Sequence, residues 1–264
     1  MKIATFNCNS IRSRLDVILS WMEKHRPDVL CLQETKVQDS EFPAAPIRAA
    51  GYHVVYRGEK AYNGVALISR SEPSDVGFGL DGGPFDSAQG GPRDETRLLC
   101  AKVGRVTIVN TYVPQGREVD HAMYKYKLLW FKRLRSYFDH HFKTSDLLLW
   151  AGDMNVAAEP IDVHNPEERE NHVCFHKAAR RAFAHCRSWG FVDVFRKHHP
   201  EPGQYTFCDY RMPRAAERGL GWRIDYLLAS PALAKKSENA FIDLEPRLGK
   251  KPSDHTFLAA EFSL

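Results

Sequence analysis

The segment Leu147–Asn155, with the sequence LLLWAGDMN, restricts the possible folds more than any other stretch of the chain. Its apolar run ends in a glycine, which is the pattern of a strand buried on both faces. Asp153 and Asn155 follow, and residues i and i+2 of an extended segment project to the same side. The segment therefore predicts a central strand that delivers a carboxylate and a carboxamide to the edge of a core. The alternative is an ordinary polar turn, since Gly, Asp and Asn are common turn residues.

The same arrangement recurs along the chain: other short apolar runs also have a polar side chain at one end or next to it. Strand-like runs outnumber helical ones and the steps between them are short, which favours two sheets packed face to face with helices outside. We expect such packing to gather the strand ends at one rim. The side chains concerned are Asn7 and Asn9 after 3–6, Glu34 after 28–32, Tyr112 after 105–110, Asp225 within 222–228, and Asp254 and His255 before 256–262.

The composition of the chain is that of an ordinary globular protein. It has 264 residues, of which 43% are hydrophobic and 27% charged, enough for a substantial core. No repeat and no linker with a change of composition divides it, so we expect one domain over residues 1–264. The net charge of +4 is compatible with a polyanionic partner, but 33 acidic residues confine any nucleic-acid face to a local patch.

The sequence also bears on location. The first residues lack the pattern of a cleaved signal, and no apolar run approaches the roughly 20 residues of a membrane span. The six cysteines are scattered without a CxxC pair, so neither a disulfide framework nor a zinc ribbon is indicated. We expect reduced thiols in a cytoplasmic protein with no membrane partner.

Between the strands, the sequence predicts three further features. Ser10 is expected to cap a helix that ends at Pro27. A helix over Tyr124–Phe142 is expected to carry its basic residues on a solvated face. The Gly- and Pro-rich stretch from Ser71 to Glu95 is interpreted as a surface loop inserted in a sheet. Further strands are expected at 191–195 and 204–207, and a helix around 179–186.

Carboxylates gathered at one rim would repel one another unless a cation lay between them. Mg²⁺ suits such a site, because it takes oxygen ligands from one or two carboxylates together with a substrate phosphate. His255 with Asp225 as an acceptor has the form of a carboxylate-oriented imidazole that polarises or protonates a reacting group. Together these residues indicate metal-assisted hydrolysis of a phosphate ester.

Eight segments make the chain resemble a known family over nearly its whole length. It is similar to the exonuclease III group of apurinic/apyrimidinic endonucleases, within the endonuclease/exonuclease/phosphatase superfamily. The order LQETK, GDxN and SDH is the most specific part of the match. The segments are FNCNSIR (6–12), PDVLCLQETK (27–36), GVALIS (64–69), NTYVPQG (110–116), GDMN (152–155), WGFVDVFR (189–196), GWRIDYLLAS (221–230) and SDH (253–255).

The resemblance implies a fold and an activity. The fold is a four-layered α/β sandwich in which two packed, mainly antiparallel sheets are flanked by helices. The activity is Mg²⁺-dependent cleavage of the DNA backbone 5′ to an abasic site, leaving a 3′-hydroxyl, with 3′–5′ exonuclease or 3′-phosphodiesterase or phosphatase activity beside it. The implied partner is double-stranded DNA with abasic sites or 3′ ends, bound by a monomer.

The resemblance also implies a metal site and a catalytic group. Glu34 and Asp254 would bind Mg²⁺, or Mn²⁺ in its place, with Asn7 and Asn9 beside the ion and the phosphate. In the catalytic group, Asp153 oriented by Asn155 would position or deprotonate the attacking water, Tyr112 and His255 would contact the scissile phosphate, and Asp225 would orient His255. The division of base and acid roles among Asp153, Tyr112 and His255 stays open.

Substrate recognition is implied for two further sets of residues. Phe207 and Trp222 would wall a pocket for a flipped-out sugar without a base, which is the nucleotide that costs least to extrude. Core packing is the alternative for both aromatic side chains. The residues expected to hold backbone phosphates from loops facing the duplex are Arg12, Arg117, Arg211 and Arg214.

Two other functions stay open at this point. One is hydrolysis of a phospholipid, an inositol phosphate or RNA, against which the Phe207 and Trp222 pair argues. The other is DNA binding by a chain that has kept the fold and lost catalysis. The presence of Glu34, Asp153 and His255 argues against that second alternative.

Overall fold

The computed structural model describes residues 1–80 and 96–264, in which short strands alternate with helices of varied length. The strands are β1 (Lys2–Asn7), β2 (Val29–Gln33), β3 (His53–Arg57), β4 (Val65–Ser69), β5 (Ser74–Phe78), β6 (Leu98–Val103), β7 (Val106–Tyr112), β8 (Leu148–Asp153), β9 (Val192–Asp193), β10 (Asp225–Ala229), β11 (Ser237–Asp243) and β12 (Phe257–Phe262). The helices are α1 (Ile11–His25), α2 (Ala44–Ala49), α3 (Ala122–His141), α4 (Lys177–Arg187), α5 (Val194–His198), α6 (Pro231–Ala234) and α7 (Glu245–Leu248). Short 3-10 turns lie at Asp39–Glu41, Pro160–Asp162 and Pro166–Arg169.

The strands form two sheets of six strands each. The first sheet has the order β11-β12-β1-β2-β4-β3, and the second has the order β5-β6-β7-β8-β10-β9. Each sheet contains one parallel pair, β1 with β2 and β7 with β8, while the other neighbours are antiparallel.

Three apolar layers hold the sheets and helices together. Along β8, Leu148 and Trp150 pack with α3 and α4, whereas Leu149 and Ala151 lie in the layer between the two sheets. Helices α1 and α2 cover the outer face of the first sheet. The predicted four-layered sandwich is therefore confirmed, and the segment singled out from the sequence is a strand buried on both faces.

The tip of β8 is buried as well. The strand passes through Gly152, whose φ is 129° and where an added Cβ would lie only 2.0 Å from the Thr111 carbonyl oxygen. Any side chain here would push β8 away from β7. The side chain of Asp153 is only 1% exposed, so the alternative of an ordinary polar turn is wrong.

Some local predictions fail for identifiable reasons. Ser10 occupies the N-cap position of α1 without accepting a cap hydrogen bond, and its φ of 92° differs from the extended conformation of a capping residue. The segment expected as a strand over 191–195 changes to α5 after two residues, because the Asp193 carboxylate accepts the Arg196 N–H and caps that helix. At 204–207 only isolated bridges form, from Phe207.

The Gly- and Pro-rich stretch is partly regular. Within the interval from Ser71 to Glu95, residues Ser74–Phe78 form β5 and pair with β6 at the edge of the second sheet. The interpretation as a loop is therefore wrong for these residues. The remainder of that interpretation, over 81–95, falls outside the described residues.

One basic residue of α3 does not belong to a solvated face. The helix begins at Ala122 and ends at His141, close to the predicted bounds, but Lys127 is fully buried. Its ammonium lies beneath the loops that follow β7 and β8. In contrast, Lys125 and Lys132 are exposed, as expected.

All six cysteines are free and buried, and burial raises the pKa of Cys8 to about 12 and those of Cys174 and Cys208 to about 11. Since the thiolate is the reactive form, we expect the native protein to resist a bulky thiol reagent such as dithiobis-nitrobenzoate at pH 8. The same reaction in guanidinium chloride should titrate all six thiols. Rapid modification of the native protein would contradict their burial.

No helix in the described part of the chain has the length and apolar character that a membrane crossing needs.

Candidate active site

Strand register places three of the predicted catalytic residues in one row. In the parallel pair β7 and β8, Tyr112 is the register partner of Asp153. In the antiparallel pair β8 and β10, Asp225 is the partner of the same Asp153. The second sheet thus presents a phenol and two carboxylates side by side at one end.

The first sheet meets this row through Asn7 at the end of β1. The Asn7 Nδ2 donates to Glu34 Oε1 at 2.8 Å and to Asp153 Oδ2 at 2.9 Å. One amide therefore joins the carboxylates of the two sheets. The strand ends meet at one rim, as the sequence pattern predicts.

Asn155 fixes the orientation of the Asp153 carboxylate. Its backbone N–H donates to Asp153 Oδ1 at 2.8 Å, and its Nδ2 donates to Asp153 Oδ2 at 3.2 Å. Asn155 adopts a left-handed conformation with a φ of 50°, which lets both donors reach the same carboxylate. Burial raises the pKa of Asp153, so this carboxylate is more basic than an exposed aspartate.

His255 lies between two carboxylates. Its Nδ1 is 2.8 Å from Asp225 Oδ2, and its Nε2 is 3.8 Å from Asp153 Oδ2. Burial opposes the charged form, but Asp225 and Asp153 outweigh it and raise the pKa of His255. The imidazole is thereby held in a protonated form that can donate a hydrogen bond to an anionic substrate.

Tyr112 keeps its proton. Burial is the main cause that raises the pKa of its phenol, and the neighbouring Glu34 carboxylate raises it further. The Arg97 guanidinium lies over the ring at 4.7 Å from the centroid. Tyr112 is thus a hydrogen-bond donor at the rim, next to Asp153.

The predicted metal-binding residues form a connected group around Glu34. Asn9 Nδ2 donates to Asp254 Oδ1 at 3.0 Å, and the Asn9 backbone N–H donates to Asn7 Oδ1 at 3.0 Å. The Lys36 ammonium lies 2.8 Å from Glu34 Oε2 and donates to Asn9 Oδ1.

This group fits a hard divalent cation. Two carboxylates and amide oxygens are the ligands that Mg²⁺ takes in proteins. The Lys36 ammonium lies against Glu34 and Asn9, so these oxygens already bind one positive charge. A second group with ligand atoms within 4.8 Å of one another consists of Asp153, Asp225 and His255.

Phe207 lies next to the His255 imidazole, and Trp222 is its backbone partner. The two residues pair through backbone hydrogen bonds of 2.8 Å in both directions. The Phe207 ring centroid is 5.0 Å from that of His255, and the Trp222 ring centroid is 4.5 Å from that of His172. The two predicted pocket residues therefore stand together, with Trp222 largely buried and Phe207 partly exposed.

The predicted phosphate-binding arginines are all exposed. Three of them form ion pairs with acidic side chains. Because exposed pairs contribute little, such arginines can exchange a carboxylate for a phosphate. These pairs are Arg12 with Glu41, Arg211 with Asp209 and Arg214 with Glu217. The fourth arginine, Arg117, has a φ of 62°, and its backbone N–H donates to Gln115 Oε1.

A buried ionic cluster lies directly beside the pocket residue Trp222. The side chain of Arg223 is 1% exposed and is 2.8 Å from Asp162 Oδ1 and 2.8 Å from Asp193 Oδ2. Arg196 reaches the same Asp162 oxygen at 2.6 Å. The cluster ties the entry of β10 to the 3-10 turn after β8 and to α5.

Sequence reasoning missed four residues of this region. Lys36 lies inside a segment already matched to the family, so its position next to Glu34 was available as a signal. The others gave no local signal, because the groups they contact are distant in sequence. They are Arg97 over Tyr112, Lys127 beneath the rim and His172 against Trp222.

Comparison with known proteins gives consistent matches. The family model described as Endonuclease/Exonuclease/phosphatase family matches residues 4–255. Exodeoxyribonuclease III of Haemophilus influenzae is 32% identical over 270 residues, covering 99% of this chain and 100% of that protein. An AP endonuclease from Archaeoglobus fulgidus has a TM-score of 0.95 and 50% identity, with 100% of both chains covered. A 3′ phosphatase from Neisseria, bound to a product DNA hairpin, has a TM-score of 0.91 and 37% identity, again with 100% of both chains covered.

Proposed function

The chain belongs to the endonuclease/exonuclease/phosphatase family, as a DNA repair nuclease like exodeoxyribonuclease III and the AP endonucleases, and from this premise we propose its specific reaction. The enzyme hydrolyses the DNA backbone on the 5′ side of an abasic site and leaves a 3′-hydroxyl. It also removes nucleotides or blocking phosphates from 3′ ends. The whole chain, residues 1–264, acts as one catalytic domain.

The observation that carries the proposal is the row formed by Tyr112, Asp153 and Asp225, with His255 against it. A phosphodiester that reached this row would meet two proton donors and one basic carboxylate. The Phe207 ring, 5.0 Å from His255, stands where an extruded sugar would enter. An aromatic wall beside the row favours a nucleotide without a base over a complete one.

The chain's own groups account for the reaction. Asp153, aimed by Asn155, positions the water that attacks phosphorus and draws off its proton. Tyr112 and His255 donate hydrogen bonds to the phosphate oxygens, whose negative charge grows during the attack. The bond from phosphorus to the 3′ oxygen breaks, and that oxygen takes a proton from Tyr112 or His255, the two donors at the phosphate, and leaves as the 3′-hydroxyl. Asp225 keeps the imidazole in place through the Nδ1 contact of 2.8 Å.

Glu34 and Asp254 would hold Mg²⁺, or Mn²⁺ in its place, with Asn7 and Asn9 beside the ion. When bound, the ion supplies positive charge that stabilises the phosphate oxygens during attack. The Lys36 ammonium contacts Glu34 and Asn9 in the same region, and its flexible side chain can move aside.

The proposed partner is double-stranded DNA, bound by a cytoplasmic monomer. Arg12, Arg117, Arg211 and Arg214 contact backbone phosphates without reading sequence. The DNA-processing relatives support this partner over a lipid or an inositol phosphate.

A panel of substrates tests the proposal. We expect purified protein with Mg²⁺ to nick a duplex that carries one tetrahydrofuran site, and the nick to be extended by a DNA polymerase without further treatment. A recessed 3′ end and a 3′-phosphate duplex, assayed beside it, rank the other activities, and a chelator provides the control. If all three DNA substrates stay intact while RNA or an inositol phosphate is hydrolysed, the proposal is wrong.

A further inference from the structure

Lys127 is a charged residue in the interior of the protein. It lies on α3 with 0% of its surface exposed. Its Nζ donates to the carbonyl oxygens of Gln115 at 3.1 Å, Asn155 at 2.7 Å and Val173 at 2.9 Å. An ammonium has three N–H donors, so these three carbonyls satisfy all of them.

The three carbonyls belong to three different loops of the active site. Gln115 follows β7, which ends in Tyr112, and Asn155 follows β8, which ends in Asp153. Val173 adjoins His172, whose ring packs on Trp222. One ammonium therefore connects the phenol, the water-positioning carboxylate and a wall of the pocket.

The contact with Asn155 is the most direct of the three. Asn155 is the left-handed residue whose backbone N–H and side-chain amide both hold Asp153. Its Nδ2 also donates to the Val113 carbonyl at 2.9 Å. With its carbonyl held by Lys127, every polar group of Asn155 that points inward has a partner, and its orientation is fixed.

A buried ammonium is costly for the fold. Burial lowers the pKa of Lys127, although the nearby Cys174 and Asp153 oppose that shift. A methionine of similar length would avoid the cost of burying charge but would leave three carbonyls without a donor. Since α3 has apolar side chains at its other buried positions apart from two tyrosines, packing alone does not call for a lysine here.

We propose that Lys127 is a positioning residue that sets the geometry of the catalytic rim, by anchoring the loops after β7 and β8 and the loop beside Trp222 to α3. The proposal rests on the nuclease function above. Lys127 touches neither the substrate nor the reacting atoms, and it acts through Asn155 on Asp153.

The test compares Lys127→Met and Lys127→Gln with wild type and with Lys125→Met, which removes an exposed lysine from the same helix. Steady-state cleavage of the tetrahydrofuran duplex and of the 3′-phosphate duplex is measured over a range of DNA concentrations, below the melting temperature of each variant. We expect kcat to fall by about 10–100-fold in the Lys127 variants, as for other residues that orient catalytic groups, while KM for DNA stays near the wild-type value. Lys125→Met should match wild type in kcat.

A second measurement separates positioning from a general loss of stability. The Asn155 amide hydrogen should exchange faster with solvent in Lys127→Met, while amides of the distant β3 and β4 keep their wild-type rates. Folded variants with wild-type kcat overturn the proposal, and so does a failure of both variants to fold, which would make Lys127 a requirement of the fold instead. If wild-type protein itself cleaves none of the substrates, the proposed function fails first.

Discussion

Asp153→Asn is expected to lower kcat for cleavage by about 10³-fold while the protein stays folded and binds DNA, because general-base catalysis contributes factors of this size. The change removes the basic carboxylate whose pKa is raised by burial. It also replaces an acceptor by an NH₂ group that faces either the Nδ2 donors of Asn7 and Asn155 or the Asn155 backbone N–H. The remaining activity would come from Tyr112, His255 and the metal site.

Single-turnover cleavage and DNA affinity, measured side by side, check this expectation. Asp139→Asn is the matched control, since Asp139 lies exposed on α3 in a pair with Arg135. Cleavage by Asp153→Asn at the wild-type rate would falsify the catalytic assignment. Unchanged binding together with lost cleavage would also exclude the alternative that the chain only binds DNA.

Arg223→Met is expected to destabilise the protein by about 3 kcal/mol, since breaking a buried ion pair leaves a carboxylate without its partner. Asp193 loses the guanidinium that lies 2.8 Å away, while Asp162 loses one of its two arginine partners and keeps Arg196. The affected turn and β10 flank Trp222, so the lost contacts lie next to this predicted pocket residue.

Urea unfolding at constant temperature measures this change. The control is Arg214→Met, which breaks an exposed pair with Glu217 and should cost less than about 1 kcal/mol. Equal stability losses in the two variants would show that burial of the Arg223 cluster adds nothing.

The same variant should also unfold at a higher pH than wild type does during acidification. Burial opposes ionisation of Asp162, but Arg223 and Arg196 outweigh it and hold the pKa of its carboxyl below the usual value. A lowered folded-state pKa stabilises the protein above the unfolded-state pKa, and this stabilisation is lost as pH falls through the folded-state pKa. Without Arg223 that pKa rises, so Asp162 contributes less of this stabilisation, and the less stable variant reaches its unfolding point at a higher pH.

The sequence predicts the part of the site that depends on strand ends. LLLWAGDMN, together with the runs before Asn7, Glu34 and Tyr112, has the local periodicity of buried strands, and two-residue alternation then fixes which side chains reach the rim. The strand register then places Tyr112 and Asp225 on either side of Asp153. Nothing else in the sequence is needed to bring these three residues together.

The residues that escaped prediction depend on contacts across the fold. Lys127 occupies a helix whose basic residues otherwise look solvated, and nothing local indicates that loops at 115, 155 and 173 converge on it. Asp193 ends β9, inside the segment expected to be a strand, but its side chain caps α5 and pairs with Arg223, and the strand pattern indicates neither contact. The sequence pattern shows which positions of a segment are polar. Whether a charged side chain is buried depends on residues that are distant in sequence.

The pairing of β1 with β12 has a consequence for the synthesis of this enzyme. Asn7, at the end of β1, is made early, whereas Asp254 and His255 precede β12 and emerge among the last residues of this sequence. The rim lacks its imidazole and one of the two carboxylates proposed to bind metal until β12 has joined the first sheet. A partly synthesised chain that stops before residue 253 therefore carries an incomplete site.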